Sequence, residues 1–192
     1  IDPYGIAKRA VEMDIEQGAQ QFDLKYNIIR PHNVLGKYQN IWDKYRNVIG
    51  IFIRKVLNHE PMIVYGDGGQ TRAFSDIQYY MEPFAKLISG HHNETFNIGA
   101  DKYWSINEVA NIVKDVGAQH GYAAEISYGE PRHEVKHAYC DHTKAITHLD
   151  FKDNTNLKSL IKDMFVWAQQ QPSRDVKVKP YEVKKNIYEY WK

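Results

Sequence analysis

The 192-residue chain has one cysteine, no long apolar run and almost no net charge, and each absence excludes something. A lone Cys140 rules out an intramolecular disulfide and fits a reducing compartment, so the expected location is cytoplasmic. The longest apolar stretch, VIGIFIRKVL, is interrupted by Arg54 and Lys55 and is too short to span a bilayer, and no signal-peptide pattern opens the chain. The 25 Lys and Arg are balanced by 24 Asp and Glu, interspersed to a net charge of +1. Neither nucleic acid nor an anionic membrane is therefore an expected partner. The 12 glycines assemble neither G-x-G-x-x-G nor G-x-x-x-x-G-K, and the cluster Gly66-Asp67-Gly68-Gly69 reads as a turn joining two strands. No dinucleotide fingerprint is found. The chain opens without Met, which reads as the mark of a fragment or of processing.

What is present is an ordinary globular composition, 43% hydrophobic, without internal repeats or low-complexity tracts. The pattern alternates helix and strand. Tyr4 to about Gln21 reads as a helix entered from Asp2-Pro3, with Ile6, Ala10, Val11 and Met13 to Ile15 on one broad face. LKYNIIRP reads as a buried strand stopped by Pro31. Asn47 to Asn58 is a helix, MIVYG a strand, RAFSDI a short extended piece and Tyr79 to Ser89 a helix. TFNIG and AEISYG are further strands around a helix that opens with the capping box Ser105-x-x-Glu108. Thr143 to Leu149 and Leu157 to Gln171 close the α/β series ahead of Pro172. One domain, or one and a small lobe, is expected over 1–172, with 173–192 as a Lys-rich tail.

Tyr4 and Lys8 fall one helical turn apart, but the spacing alone says little. With 14 Tyr it arises by chance about once, and it recurs at Tyr181–Lys185 and Tyr188–Lys192. Succession carries more. The Tyr-x-x-x-Lys helix is followed by RPHNVLG, a helix from Asn47, VYGDGGQTRAF, FNIG, PRHEV and Asp141-x-x-Lys144-Ala145. Together these resemble the extended short-chain dehydrogenase/reductases, in particular the NAD-dependent nucleotide-sugar epimerases of the UDP-glucose 4-epimerase type, from Tyr4 to about Trp167.

The resemblance implies an α/β fold: the C-terminal part of an NAD(P)-binding Rossmann fold with a small α/β substrate lobe. It implies Tyr4 as general acid/base for the sugar 4-hydroxyl. It implies Lys8 as the cation that favours the phenolate and holds the nicotinamide ribose, since a phenol is otherwise a poor base at neutral pH. The C4 hydride would pass to NAD and return to the opposite face of the sugar. The family's third catalytic group, a Ser or Thr, is not found in this chain. His32 would lie beside the cofactor, and Asn33 and Asn47 would hold the nucleotide diphosphate-sugar. Tyr65 would flank the base, and Arg72 and Arg132 would clamp the diphosphate through bidentate contacts. Glu134 would meet a ribose hydroxyl, although it stands two residues after Arg132 where the family's R-P-G-D/E has three. Dimer formation is implied too. The alternatives are a 4,6-dehydratase or decarboxylase of the same superfamily, or a non-catalytic nucleotide-diphosphate-binding or oligomer-forming fragment. As a fragment, the chain is expected to bind no NAD and to be inactive alone.

Plainer roles compete with each assignment. Tyr4 and Lys8 also suit a solvated helix face, Arg72 and Arg132 suit surface ion pairs, and Asn33 and Asn47 suit a turn and a helix cap. His133-Glu134-Val135-Lys136-His137 matches H-E-x-x-H, but zinc hydrolysis needs the two His a turn apart on a helix. Gly129, Pro131 and the absence of a helical apolar stripe predict an extended segment instead, and no metal is expected.

Overall fold

A computed structural model of the chain describes residues 3–43, 47–90, 93–172 and 174. The expected tail from residue 173, with its two further Tyr-x-x-x-Lys spacings, lies outside the described residues apart from Arg174. In chain order the elements are α1 (Pro3–Phe22), β1 (Asn27–Pro31), β2 (Val34–Leu35), α2 (Val48–Leu57), β3 (Met62–Tyr65), β4 (Thr71–Ala73) and β5 (Ser75–Asp76). A 3-10 turn (Ile77–Tyr80) then runs into α3 (Met81–Ser89). There follow β6 (Glu94–Ile98), β7 (Tyr103–Ser105), α4 (Ile106–Gln119), β8 (Ile126–Gly129), β9 (His137–Ala138), α5 (Thr143–Leu149) and α6 (Leu157–Gln169). The class is α/β, and the two longer strand pairings, β1 with β6 and β3 with β8, are parallel. β2 pairs with β5, and β4 is flanked by β7 and β9.

The chain divides into two compact units that it enters alternately. Unit 1 comprises Ile1–Val34, Ala73–Tyr103 and Ala138–Thr155; unit 2 comprises Leu35–Arg72, Trp104–His137 and Asn156–Lys192. In unit 1, β1 and β6 pair from Asn27–Glu94 to Pro31–Ile98. Tyr80, Leu87, Phe96, Ile98, Ala145, Leu149 and Phe151 form its core beside them. Tyr80 is fully buried, so its hydroxyl needs partners. It donates to Ile98 O at 2.9 Å and meets Ser75 Oγ at 2.8 Å, while Ser75 Oγ donates to His32 O at 3.0 Å. Burial pushes the Tyr80 phenol up to about 12.

In unit 2, α4 contacts both α2 and α6, and β3 pairs with β8. Ile49, Phe52, Ile53 and Val56 of α2, Val109, Ala110, Val113 and Val116 of α4, and Leu160, Ile161, Met164 and Phe165 of α6 are buried. α4 and α2 approach so closely at Gly117 that an added Cβ would lie 2.7 Å from Val56 Cγ1. The expected capping box holds: Glu108 N donates to Ser105 Oγ at 3.2 Å, and Ser105 N to Glu108 Oε2 at 2.7 Å.

Three expectations need correction. LKYNIIRP is neither fully strand nor fully buried. The strand starts at Asn27, after the chain turns at Asp23 (φ 53°) and Asn93 N bonds Tyr26 O at 2.6 Å, and only Ile28 of β1 is buried. RAFSDI is extended only to Asp76, whose carboxylate accepts from Gln78 N at 2.9 Å and starts the 3-10 turn. The 133–136 stretch is irregular rather than extended, and β9 begins at His137.

Candidate functional site

The residues singled out fall into two sets. Tyr4, Lys8, His32 and Asn33 belong to unit 1; Asn47, Tyr65, Arg72, Arg132 and Glu134 belong to unit 2.

In unit 1 the four-residue step on α1 brings Lys8 Nζ to 5.5 Å from the centre of the Tyr4 ring, and both side chains are exposed. Among the described residues Lys8 makes no ion pair. His32 and Asn33 follow β1. His32 N donates to Ile98 O at 2.9 Å, and Asn33, at φ 46°, accepts from Ser75 N at 3.1 Å through its carbonyl. The Asn33 side chain is therefore not what makes this turn's bond to Ser75, and the residue is exposed.

In unit 2 the strand ends and loops converge. The Arg132 guanidinium lies over the Tyr65 ring, 3.4 Å from its centre, the cation-on-ring contact that arginine's planar head favours. Arg72 Nη2 donates to Glu134 Oε2 at 2.6 Å, and Nη1 to Thr71 O at 2.8 Å and Lys136 O at 3.4 Å. The Arg72 side chain is 16% exposed. Gln70, which sequence reasoning passed over, links the two: its amide donates to Tyr65 O at 3.0 Å and Glu134 Oε1 at 3.3 Å. Its place directly before Thr71-Arg72 was the available signal. Glu134 thus turns toward Arg72 rather than standing free, as the shortened spacing after Arg132 allows.

The turn before Gln70 is fixed by Asn107, whose amide donates to Asp67 O at 2.7 Å. Gly68, at φ 70°, has no room for a side chain, since an added Cβ would meet Asn107 Oδ1 at 2.1 Å. Asn47 is the N-cap of α2 at φ 62° and ψ 80°, but its side chain makes no capping bond. His137 Nδ1 lies 2.9 Å from Thr71 Oγ1, and the H-E-x-x-H stretch is not helical, so its two histidines do not stand one turn apart.

A cleft of about 760 Å³ opens within unit 2, with Trp42, Ile51, Arg54, Ile63, Tyr65 and Arg132 among its walls. Arg54 Nη1 donates to Trp42 O at 2.7 Å, and Arg174 stacks over the Trp42 ring at 4.5 Å. Apolar side chains beside fixed cations suit a flat base joined to an anion.

A family model described as the NAD dependent epimerase/dehydratase family matches residues 1–99, just over half of the chain. The chain belongs to that family. Over 173 residues it is 35% identical to a putative UDP-glucose 4-epimerase of Methanocaldococcus jannaschii, covering 88% of this chain and 54% of the relative. UDP-glucuronic acid decarboxylase 4 of Arabidopsis thaliana is 33% identical over 115 residues, 58% of this chain and 25% of the relative. The crystal structure of a Thermotoga maritima UDP-glucose 4-epimerase with UDP-glucose superposes with a TM-score of 0.77 at 30% identity. That superposition covers 88% of this chain and 54% of that one. The chain therefore spans about half the length of the epimerases it matches. No helix among the described residues is long and apolar enough to cross a membrane.

Proposed function

We propose that this chain carries the acid/base helix and the nucleotide-diphosphate lobe of an NAD-dependent nucleotide-sugar epimerase acting at sugar C4, on a UDP-glucose/UDP-galactose type of substrate. The observation that carries the reading is the Tyr4–Lys8 pair, phenol and ammonium one turn apart on an exposed face of α1, in a chain of the epimerase/dehydratase family.

The residues present fit NAD at one end of its structure. The Lys8 ammonium, with no ion pair among the described residues, and the Tyr4 phenol are donors suited to ribose hydroxyls, and the family resemblance adds His32 to them. Bound NAD supplies a reversible hydride acceptor for the sugar C4–H bond. Tyr4 takes the proton of the 4-hydroxyl as that bond is oxidised and returns it when the other face is reduced. Lys8 stabilises the phenolate that stands before the proton is taken and again after it is returned.

The substrate is held in unit 2. Tyr65 and the cleft wall receive the base, Asn47 offers an amide, and Arg72 and Arg132 face the diphosphate; Asn33, the other amide of the family resemblance, belongs to unit 1. For Arg72 this means exchanging the Glu134 carboxylate for phosphate oxygens, two ligands of like geometry and charge. Glu134, once released, is an acceptor for a ribose hydroxyl. The match to a UDP-glucuronic acid decarboxylase favours one second reading, decarboxylation or dehydration on the same scaffold.

Self-association as a homodimer belongs to the proposal. The exposed Ile6, Val11 and Met13 on α1 support it, and a clean monomer in sedimentation at tens of micromolar counts against it. A cytoplasmic setting suits a chain whose lone Cys140 has no disulfide partner within it.

The test is Tyr4→Phe in the intact, NAD-loaded enzyme. UDP-galactose to UDP-glucose conversion should fall at least about 100-fold, the scale of a lost general acid/base; full activity sinks the reading. The 192 residues alone, lacking the Gly-rich turn that meets a pyrophosphate, are expected to show no NAD binding in calorimetry and no turnover. Micromolar NAD affinity would overturn the inactive-alone expectation.

A further inference from the structure

Helix α1 carries Tyr4 and Lys8, yet none of its 20 residues is buried. Its apolar side chains point outward: Ile6 is 59% exposed, Val11 and Met13 each 56%. Its partly enclosed residues are Glu12, Glu16, Gly18 and Ala19, and Glu12, with a side chain only 12% exposed, is the most enclosed of its ion-paired groups. At that point Arg30 of β1 meets it with a fork. Arg30 Nε donates to Glu12 Oε1 and Nη2 to Glu12 Oε2, each at 2.6 Å. Arg9 Nη1 adds a bond to Oε2 at 3.0 Å and another to Glu16 Oε1 at 3.3 Å. Tyr4, Lys8 and Glu12 follow one another at four-residue steps, so they stack along one side of the helix.

We propose that the Glu12–Arg30 pair is the positioning element of the acid/base helix, setting the roll and height of α1 on β1 and hence where Tyr4 and Lys8 stand. The inference rests on the acid/base reading of Tyr4 given above. A planar guanidinium facing a carboxylate through two parallel bonds fixes direction as well as distance, which a single ammonium contact does not. Exposed ion pairs add little to global stability, so the value of this one lies in orientation. The Arg30 fork also holds the Glu12 carboxyl down at about 2, so the pair is intact throughout the neutral range.

The test is amide hydrogen exchange on the 192-residue chain carrying Glu12→Gln, Arg30→Gln or both, with thermal melting alongside. Local opening is read from amides of α1, with α3 and α5 of the same unit as internal controls. Each single change is expected to speed exchange across α1 about tenfold while the controls and the melting temperature hold, and the double change to be no worse than either single, as for two groups acting as one. Unchanged α1 exchange overturns the proposal; so does acceleration shared by α3 and α5 with a falling melting temperature, and so does an additive double variant. In the intact, NAD-loaded enzyme the single changes should lower kcat about tenfold at unchanged KM for the nucleotide sugar. Unchanged kcat beside an inactive Tyr4→Phe also overturns it. A fully active Tyr4→Phe would defeat the acid/base reading instead, and the exchange measurement would still decide the anchor.

Discussion

Helices α1 and α4 are held in place by different means. α4 has 14 residues, buries six of them and is closed at its N-terminus by a reciprocal cap. α1 has 20 residues, buries none and meets β1 through a charged fork. Summed apolar burial is what holds a helix in water. α4 is thus fixed by the same contacts that stabilise unit 2, while α1 is directed by groups that contribute little to that stability. On the function proposed above, a helix that presents a reacting phenol gains from this arrangement, because its face is left open.

The sharpest way to break the comparison is to cut the core on one side and the apolar face on the other. Phe165→Ala, in the fully buried layer of α6 that α4 packs on, is expected to cost about 3–5 kcal/mol in urea unfolding, from lost transfer energy plus cavity. Val11→Ala on α1 should change the same measurement by less than about 0.5 kcal/mol. A large loss at Val11 would mean that a second copy covers that face.

How far these features were legible in the sequence depends on the range over which each is determined. α5 has the bounds its sequence predicts, Thr143 to Leu149, and the Ser105–Glu108 box forms as spelled, because both depend on neighbours within a turn. The apolar stripe of α1 was legible, but periodicity says only that a face is apolar and not what covers it. The Arg72–Glu134 bond spans 62 positions and the Arg30–Glu12 fork 18, and no local pattern encodes either. For the same reason the interleaving of two units was not visible: it depends on where the chain returns. The left-handed turn at Asp23 shortened β1 for a short-range reason, one that composition alone does not signal.

Next in size is the site in unit 2, where charge acts with burial behind it. Arg72→Ala is expected to weaken UDP-sugar binding to the intact enzyme by about 1.5–3 kcal/mol in calorimetry, the scale of lost charge-assisted hydrogen bonds. Glu134→Gln should weaken it far less, since the carboxylate that Arg72 must exchange is already neutralised. Equal losses in the two variants would refute the exchange. Smaller again is the cap: Ser105→Ala should cost about 1 kcal/mol of unfolding free energy, because the Glu108 N–H loses its acceptor.

The smallest expected effect separates the two helices by pH. Glu12 has its carboxyl lowered to about 2 by the Arg30 fork, so its pKa is lower folded than unfolded. Its contribution is present above the unfolded carboxylate range near 4.5 and is lost as pH falls from there toward 2. For a pair at the surface this amounts to no more than about 1 kcal/mol, too little to unfold unit 1 but enough to loosen its helix. Tyr80 works at the other extreme. Its phenol is raised to about 12, so its stabilising contribution is complete below pH 10 and disappears as pH climbs through 12. Hydrogen exchange, corrected for its intrinsic pH dependence, should therefore show α1 losing protection between about pH 4.5 and 2 while α4 keeps its own, and Glu12→Gln should abolish that acid step. If α1 and α4 lose protection together in acid, the fork does not govern α1, and the division between a helix held by charge and one held by its core does not stand.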